Sequence, residues 1–285
     1  MVRFFQMAGQ WLVNLCMCTG GRILVFALIS VPLFCTVSIA QESSLTADDI
    51  VKKSRALLYK VDDQKSTVTL WLIERDGTMK RIAVSRYWKN YRGKAGLDSK
   101  MLLITEFPTD SQGVAFLVWD YAEIDRPDDL RLYLPALKMV RRISGQDLND
   151  AFLGSDLTFA DIGQRRLDED EHVLLREEVY RGQPCYVVQS VPKEKESIYS
   201  KKILWISKKD WTKLKIDYYD QGKKLLKRQT LEWQEVDQLR VWKRTNVTNI
   251  QNGHRTVFDV SALQINVGLQ DEDFTEQALK SGVER

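Results

Sequence analysis

The sequence predicts a mostly β protein built on one strongly curved antiparallel sheet. Three observations carry that expectation. Apolar residues recur at every second position in many short runs, the period of a strand with one buried face. Turn residues separate these runs at short intervals, so runs adjacent in sequence pair as neighbours in space. Finally, no βαβ alternation and no Rossmann-type glycine loop interrupts the pattern.

The 285 residues, 44% hydrophobic, suffice for one large β domain, and no Pro/Gly/Ser-rich linker divides them. Lys and Arg number 42 against 39 Asp and Glu, for a formal charge of +3. With Arg3 and Arg22 in the leader, the remainder is close to neutral and offers nucleic acid no strongly basic surface.

Residues 23–39 are almost unbroken apolar, follow Arg22, and end in Ser38 and Ala40, the small residues a signal peptidase reads. Residues 1–40 therefore read as a secretory signal, with Met17 as a second candidate start and a single domain over 41–285. A retained membrane anchor is the competing reading; Pro32 interrupts the run. Lipid attachment at Cys35 is disfavoured by Phe34, which stands where a small residue is needed. Three of the four cysteines, Cys16, Cys18 and Cys35, precede Gln41, so a processed chain keeps Cys185 alone, expected as a buried apolar residue.

A capping box over Thr46 to Asp49 and apolar Ile50, Leu57, Leu58 and Val61 predict one amphipathic helix. From Ser66 the period becomes two. Residues 68–74 and 79–85 flank Asp76-Gly77, a hairpin signal whose glycine accepts positive φ. Residues 101–107 and 114–121 form the next pair. Both faces of the latter are apolar, Phe116 and Val118 on one and Leu117, Trp119 and Tyr121 on the other, so it needs cover on two sides. Leu130, Leu132 and Leu134 make a strand that Pro135 ends, and a basic strand with Lys138, Arg141 and Arg142 follows. Gly154 then permits a tight bend, and Ser155 or Asp156 is expected to cap a helical turn over 157–162. Further strands are predicted at 169–178, 186–191, 201–207, 214–219, 225–233, 239–250 and 255–265, with turns at Gly182, Asp220-Gln221-Gly222 and Asn252-Gly253.

Catalysis has little support. Two histidines, His172 and His254, are poor material for a nucleophile–base pair, and Ser155 lacks the second glycine of a nucleophile elbow. No catalytic residue, cofactor or metal is expected. The acidic run 168–171 reads as a solvated turn rather than a cation site. Residues 193–228 hold twelve Lys or Arg against five Asp or Glu, with Trp205, Trp211, Tyr218 and Tyr219 interleaved. Lysines guarding exposed strands explain that stretch; attraction to anionic lipid head groups is the alternative.

The Tyr133-Leu134-Pro135 strand, the basic pair Arg141-Arg142, and the run Phe152-Leu153-Gly154-Ser155-Asp156-Leu157-Thr158-Phe159-Ala160-Asp161 resemble the LolA-like outer-membrane lipoprotein-sorting family. Further matches are Gly182-Gln183-Pro184-Cys185-Tyr186, Ile203-Leu204-Trp205-Ile206, and Phe274-Thr275 with Leu279, so the resemblance spans 46–279. It implies an open, incomplete β-barrel with a few helices as plug or lid, and a periplasmic carrier of lipid or lipoprotein acyl chains. An inner-membrane transporter and an outer-membrane acceptor are the partners it implies, for a monomer. Apolar strand residues exceed what one helix covers, and a greasy concave face can hold an acyl chain at about 0.8 kcal/mol per methylene. Candidate cavity residues are Leu70, Leu72, Phe116, Val118, Leu130, Leu132, Leu134, Phe152 and Phe159. An accessory role beside an exporter and a lipid-modifying enzyme are the alternatives.

Overall fold

The capping box at Thr46 opens the first helix, α1 (Ala47–Ala56): the Thr46 hydroxyl accepts from the Asp49 N–H at 3.1 Å, and the Asp49 carboxylate accepts from the Thr46 N–H at 3.2 Å. The computed structural model describes residues 45–57 and 60–283, so the expected leader and its cleavage site lie outside the described residues.

From Asp63 onward the chain is a run of antiparallel strands. The first six are β1 (Asp63–Ile73), β2 (Met79–Asn90), β3 (Leu97–Phe107), β4 (Ala115–Tyr121), β5 (Asp129–Leu134) and β6 (Met139–Ile143). Seven more follow as β7 (Asp170–Tyr180), β8 (Gln183–Pro192), β9 (Tyr199–Ser207), β10 (Lys213–Asp220), β11 (Leu225–Val236), β12 (Leu239–Asn249) and β13 (Arg255–Ile265). Each run predicted from period two is a strand. The β1–β2 hairpin turns through Gly77 at φ +90°, a conformation that suits glycine.

All thirteen strands join one sheet in the order β6-β5-β4-β3-β2-β1-β13-β12-β11-β10-β9-β8-β7. Two meanders meet where β1 pairs with β13, for example Leu70 opposite Phe258. Because β6 and β7 are the two edges, the barrel stays open, and the intervening chain must cross from one edge to the other. That crossing carries the short helix α2 (Phe159–Ile162).

Alternation sorts the side chains onto two faces. Val68, Leu70, Ile82, Val84, Met101, Leu103, Phe116, Val118 and Leu130 share one cluster with Phe152 and Leu157 of the crossing segment. α1 lays Ile50 and Val51 on Val188, Leu204, Ile206 and Ile216 at the other half of the sheet. The two-sided character of β4 is met on its second face by the C-terminal helix α3 (Glu276–Ser281): Leu117 packs with Phe274 and Leu279, and the Trp119 indole N–H donates to the Phe274 carbonyl at 3.0 Å. Cys185, fully buried, packs with Val187, Ile203 and Trp205.

Two expectations need correction. The cap of α2 is neither Ser155 nor Asp156 but Thr158, whose hydroxyl accepts from the Asp161 N–H at 3.2 Å; Ser155 instead turns its hydroxyl to the backbone of Leu157. The acidic run is only partly solvated. Asp170 is buried against Arg165 at 2.7 Å and Glu169 pairs with Arg166 at 2.6 Å, while Asp168 and Glu171 are exposed.

Candidate functional site

Between the curved sheet and its cover lies a cavity of about 370 Å³, within the roughly 300–1,000 Å³ range of small-molecule sites. α1 contributes Val51, Ser54 and Arg55; β1 to β3 contribute Val68, Leu70, Val84, Trp88, Met101 and Leu103; the other half-sheet adds Leu204, Ile216, Trp233, Val241, Trp242 and Phe258. Phe152, Leu157 and residues 160–166 close it from the crossing segment.

Side-chain contacts, more than main-chain pairing, hold that cover down. Leu153 and Gly154 are consecutive left-handed residues at φ +50° and +74°, and the resulting bend turns Phe152 inward. Asp156 reaches β13, accepting from the Thr256 hydroxyl at 2.7 Å and meeting His254 Nδ1 at 2.8 Å. Asp161 reaches β9 and β11: it accepts from Lys227 Nζ at 2.8 Å and the Tyr199 hydroxyl at 2.6 Å, with Lys202 Nζ at 3.8 Å. Burial alone would raise the Asp161 carboxyl, but Lys227 and Lys202 hold it well below the usual carboxylate range. Farther along, the Gln164 N–H donates to buried Asp120 at 3.3 Å. Burial, with Asp128 nearby, pushes the Asp120 carboxyl up to about 7.

The wall is not uniformly apolar. Seven Lys or Arg residues line the cavity against two carboxylates, Asp161 and Asp170. Burial pushes the Lys213 amine down to about 8, with Arg55 and Lys202 adding to the effect, and pushes the Arg86 guanidinium down to about 10.

Of the nine candidate cavity residues, Leu70 and Phe152 line this space. Phe116, Val118, Leu130 and Phe159 join Phe152 around a gap of about 10 Å³ instead. The Phe116 ring lies 4.9 Å from that of Phe152 and 5.4 Å from that of Phe159, so α2 fills this end of the concave face. Leu72 and Leu132 pack in the same cluster, and Leu134 is half-buried beside Pro135.

The fold is shared with known structures. A DUF1329 family protein from Desulfovibrio piger matches at 31% identity and a TM-score of 0.76, over 83% of this chain and 100% of that one. An outer membrane lipoprotein-sorting protein domain from Vibrio parahaemolyticus matches at 28% identity and a TM-score of 0.76, over 82% and 98%. A LolA superfamily protein from Nitrosomonas europaea, at 19% identity and a TM-score of 0.65 over 82% and 99%, shares the fold. A family model described as "uncharacterized protein" matches residues 97–281. The chain belongs to the DUF1329 family, within the LolA-like fold family. No curated protein matches it.

The LolA-like motif of residues 152–161 thus has a physical use in this chain, since its two aspartates are the latches of the cover. Composition misjudged the basic stretch of 193–228, however. Lys202 and Lys227 point inward, held by Asp161 and lying between the rings of Tyr199 and Tyr218. Period two carries that signal: Lys202 shares a face with Leu204 and Ile206, and Lys227 with Gln229, Leu231 and Trp233. Arg86 likewise stands on the inward face of β2 between Val84 and Trp88.

Proposed function

We propose that this chain is a periplasmic carrier that takes lipid, or the acyl chains of lipoproteins, into the covered cavity and moves them toward the outer membrane. On this reading residues 1–40 are a signal peptide, the domain begins at Gln41, and no catalytic step is involved. The observation that carries it is the cavity of about 370 Å³, lined largely by apolar side chains, between the sheet and its cover. Such a space can take hydrocarbon at about 0.8 kcal/mol per methylene buried. The likeness to a protein described as outer-membrane lipoprotein-sorting supports the direction of transfer. Entry requires the cover to move, and its polar latches can be broken and remade without unzipping any strand of the sheet.

Mass spectrometry of the protein purified without detergent, together with titration of a fluorescent fatty acyl probe, tests this. The probe should bind the wild type. Val84→Trp, which projects an indole into empty space, should cut uptake by at least about tenfold with the thermal transition largely kept. Absence of both copurified lipid and probe binding would sink the carrier reading.

A further inference from the structure

Most of the cationic groups on the cavity wall are already matched. Arg165 pairs with Asp170, Arg166 with Asp128 and Glu169, Lys202 with Asp161, Arg240 with Asp210, and Arg55 with Asp98. Two are not. Among the described residues, Arg86 and Lys213 form no ion pair with any carboxylate. Arg86 donates to the neutral Gln64 side chain at 2.9 Å, and the Lys213 ammonium makes no side-chain hydrogen bond. A third donor faces the same want of an acceptor: the buried Trp88 indole N–H has no hydrogen-bond partner among the described residues.

Neither cation is inward by accident of a mobile tip. Arg86 occupies the inward register of β2, opposite Ser66 of β1 and Leu103 of β3. Lys213 is turned inward by an irregularity in the β9–β10 ladder, where Lys213 pairs with Ile206 and Lys215 with Trp205, so that one residue is skipped. Leu214 and Lys215 then lie against Tyr180 and Trp205 on the outer face, and Lys213 and Ile216 against the cavity. Arg86 and Lys213 are both half-buried; a charge so placed without a counter-charge lowers stability, and folds keep one where a ligand supplies the missing partner.

We propose that the occupant of this cavity is an anionic amphiphile, whose phosphate or carboxylate head is met by one of these two cations, Arg86 or Lys213, while its chain lies along the apolar wall. The inference rests on the carrier reading and narrows its ligand. A guanidinium accommodates two oxygens of such a head, and an ammonium meets one as a compact point charge. A small free anion would leave the apolar wall empty, and a neutral chain would leave both cations unanswered.

Competition against the fluorescent acyl probe tests this on the mature chain with decyl phosphate, decan-1-ol and inorganic phosphate. Decyl phosphate should compete at least about tenfold better than decan-1-ol, the least that one charged hydrogen bond provides. Arg86→Gln or Lys213→Met, whichever removes the cation at the head, should pull that ratio toward one, and neither should lower the thermal midpoint appreciably, since neither breaks an ion pair. Equal competition by phosphate and alcohol overturns the inference while leaving the carrier reading standing. So does an undiminished ratio in both variants, which would put the head elsewhere. Inorganic phosphate competing as well as decyl phosphate would make this a free-anion site and overturn it too. Failure of the probe to bind at all removes the carrier reading, and this inference with it.

Discussion

Replacing Asp161 by Asn tests whether the cover is latched as described. The side chain keeps its shape and loses its charge. In the wild type Asp161 and Lys227 are each 3% exposed and 2.8 Å apart, and Tyr199 donates to the same carboxylate oxygen at 2.6 Å. With the charge gone, the Lys227 ammonium keeps the Asp156 carbonyl at 2.6 Å and the rings of Tyr199 and Tyr218, but no counter-charge. Removing one partner of a buried pair costs about 3–5 kcal/mol. For a domain of this size each kcal/mol moves the thermal midpoint by about 2–4 °C, so a fall of roughly 6–20 °C is expected by calorimetry at neutral pH. Lys227→Met in the same chain should recover much of the loss, because the pair is then removed together. The folded-state carboxyl of Asp161 is held below its unfolded value. Its stabilisation is therefore complete above about pH 4 and disappears as pH falls through the folded value, so wild type and Asp161→Asn should converge in strong acid. A loss below about 1 kcal/mol, or a double variant as unstable as the sum of its parts, would refute the latch.

Two further outcomes follow from buried groups. Asp120, 2% exposed, has a carboxyl raised from 3.8 to about 7, so the native state holds a proton that the unfolded state releases between those values; stability should fall by up to about 4 kcal/mol as pH rises across that window, and Asp120→Asn should flatten the profile in chemical denaturation. Cys185→Ser should bind the acyl probe as the wild type does and lose about 1–2 kcal/mol at most, because the thiol is packed among apolar residues and its hydrogen bond to the Gln183 carbonyl, at 3.3 Å, is one a hydroxyl can make; loss of binding with the fold intact would contradict the purely structural role.

Strand positions were legible because a sheet with one buried face writes its period into the chain, and β4 even announced that it would be covered twice. α3 was not: six residues span too few turns to show a helical period, and its apolar residues read equally well as a loop docking on Leu117. The open barrel came from resemblance, since whether a meander closes depends on which strands become edges. Only the β1–β13 pairing decides that, and it joins residues nearly two hundred positions apart.

The polar half of the cavity shows where composition and periodicity part company. A count over 193–228 averages the two faces of each strand, and lysines that serve opposite surfaces merge into one basic stretch. Taken by alternation, Lys202 and Lys227 fall on the buried face, where only a buried carboxylate could keep them, and the family motif supplies one at Asp161. Lys213 escapes even that treatment. Strict alternation from Ile216 would send it outward, and the skipped residue that turns it inward belongs to the pairing with β9, not to any local pattern. The same irregularity that hides Lys213 from the sequence turns it to a face where, among the described residues, it makes no ion pair. An inward lysine reached by alternation has a partner built on the cover; the one reached by a bulge faces the cavity with no ion pair among the described residues.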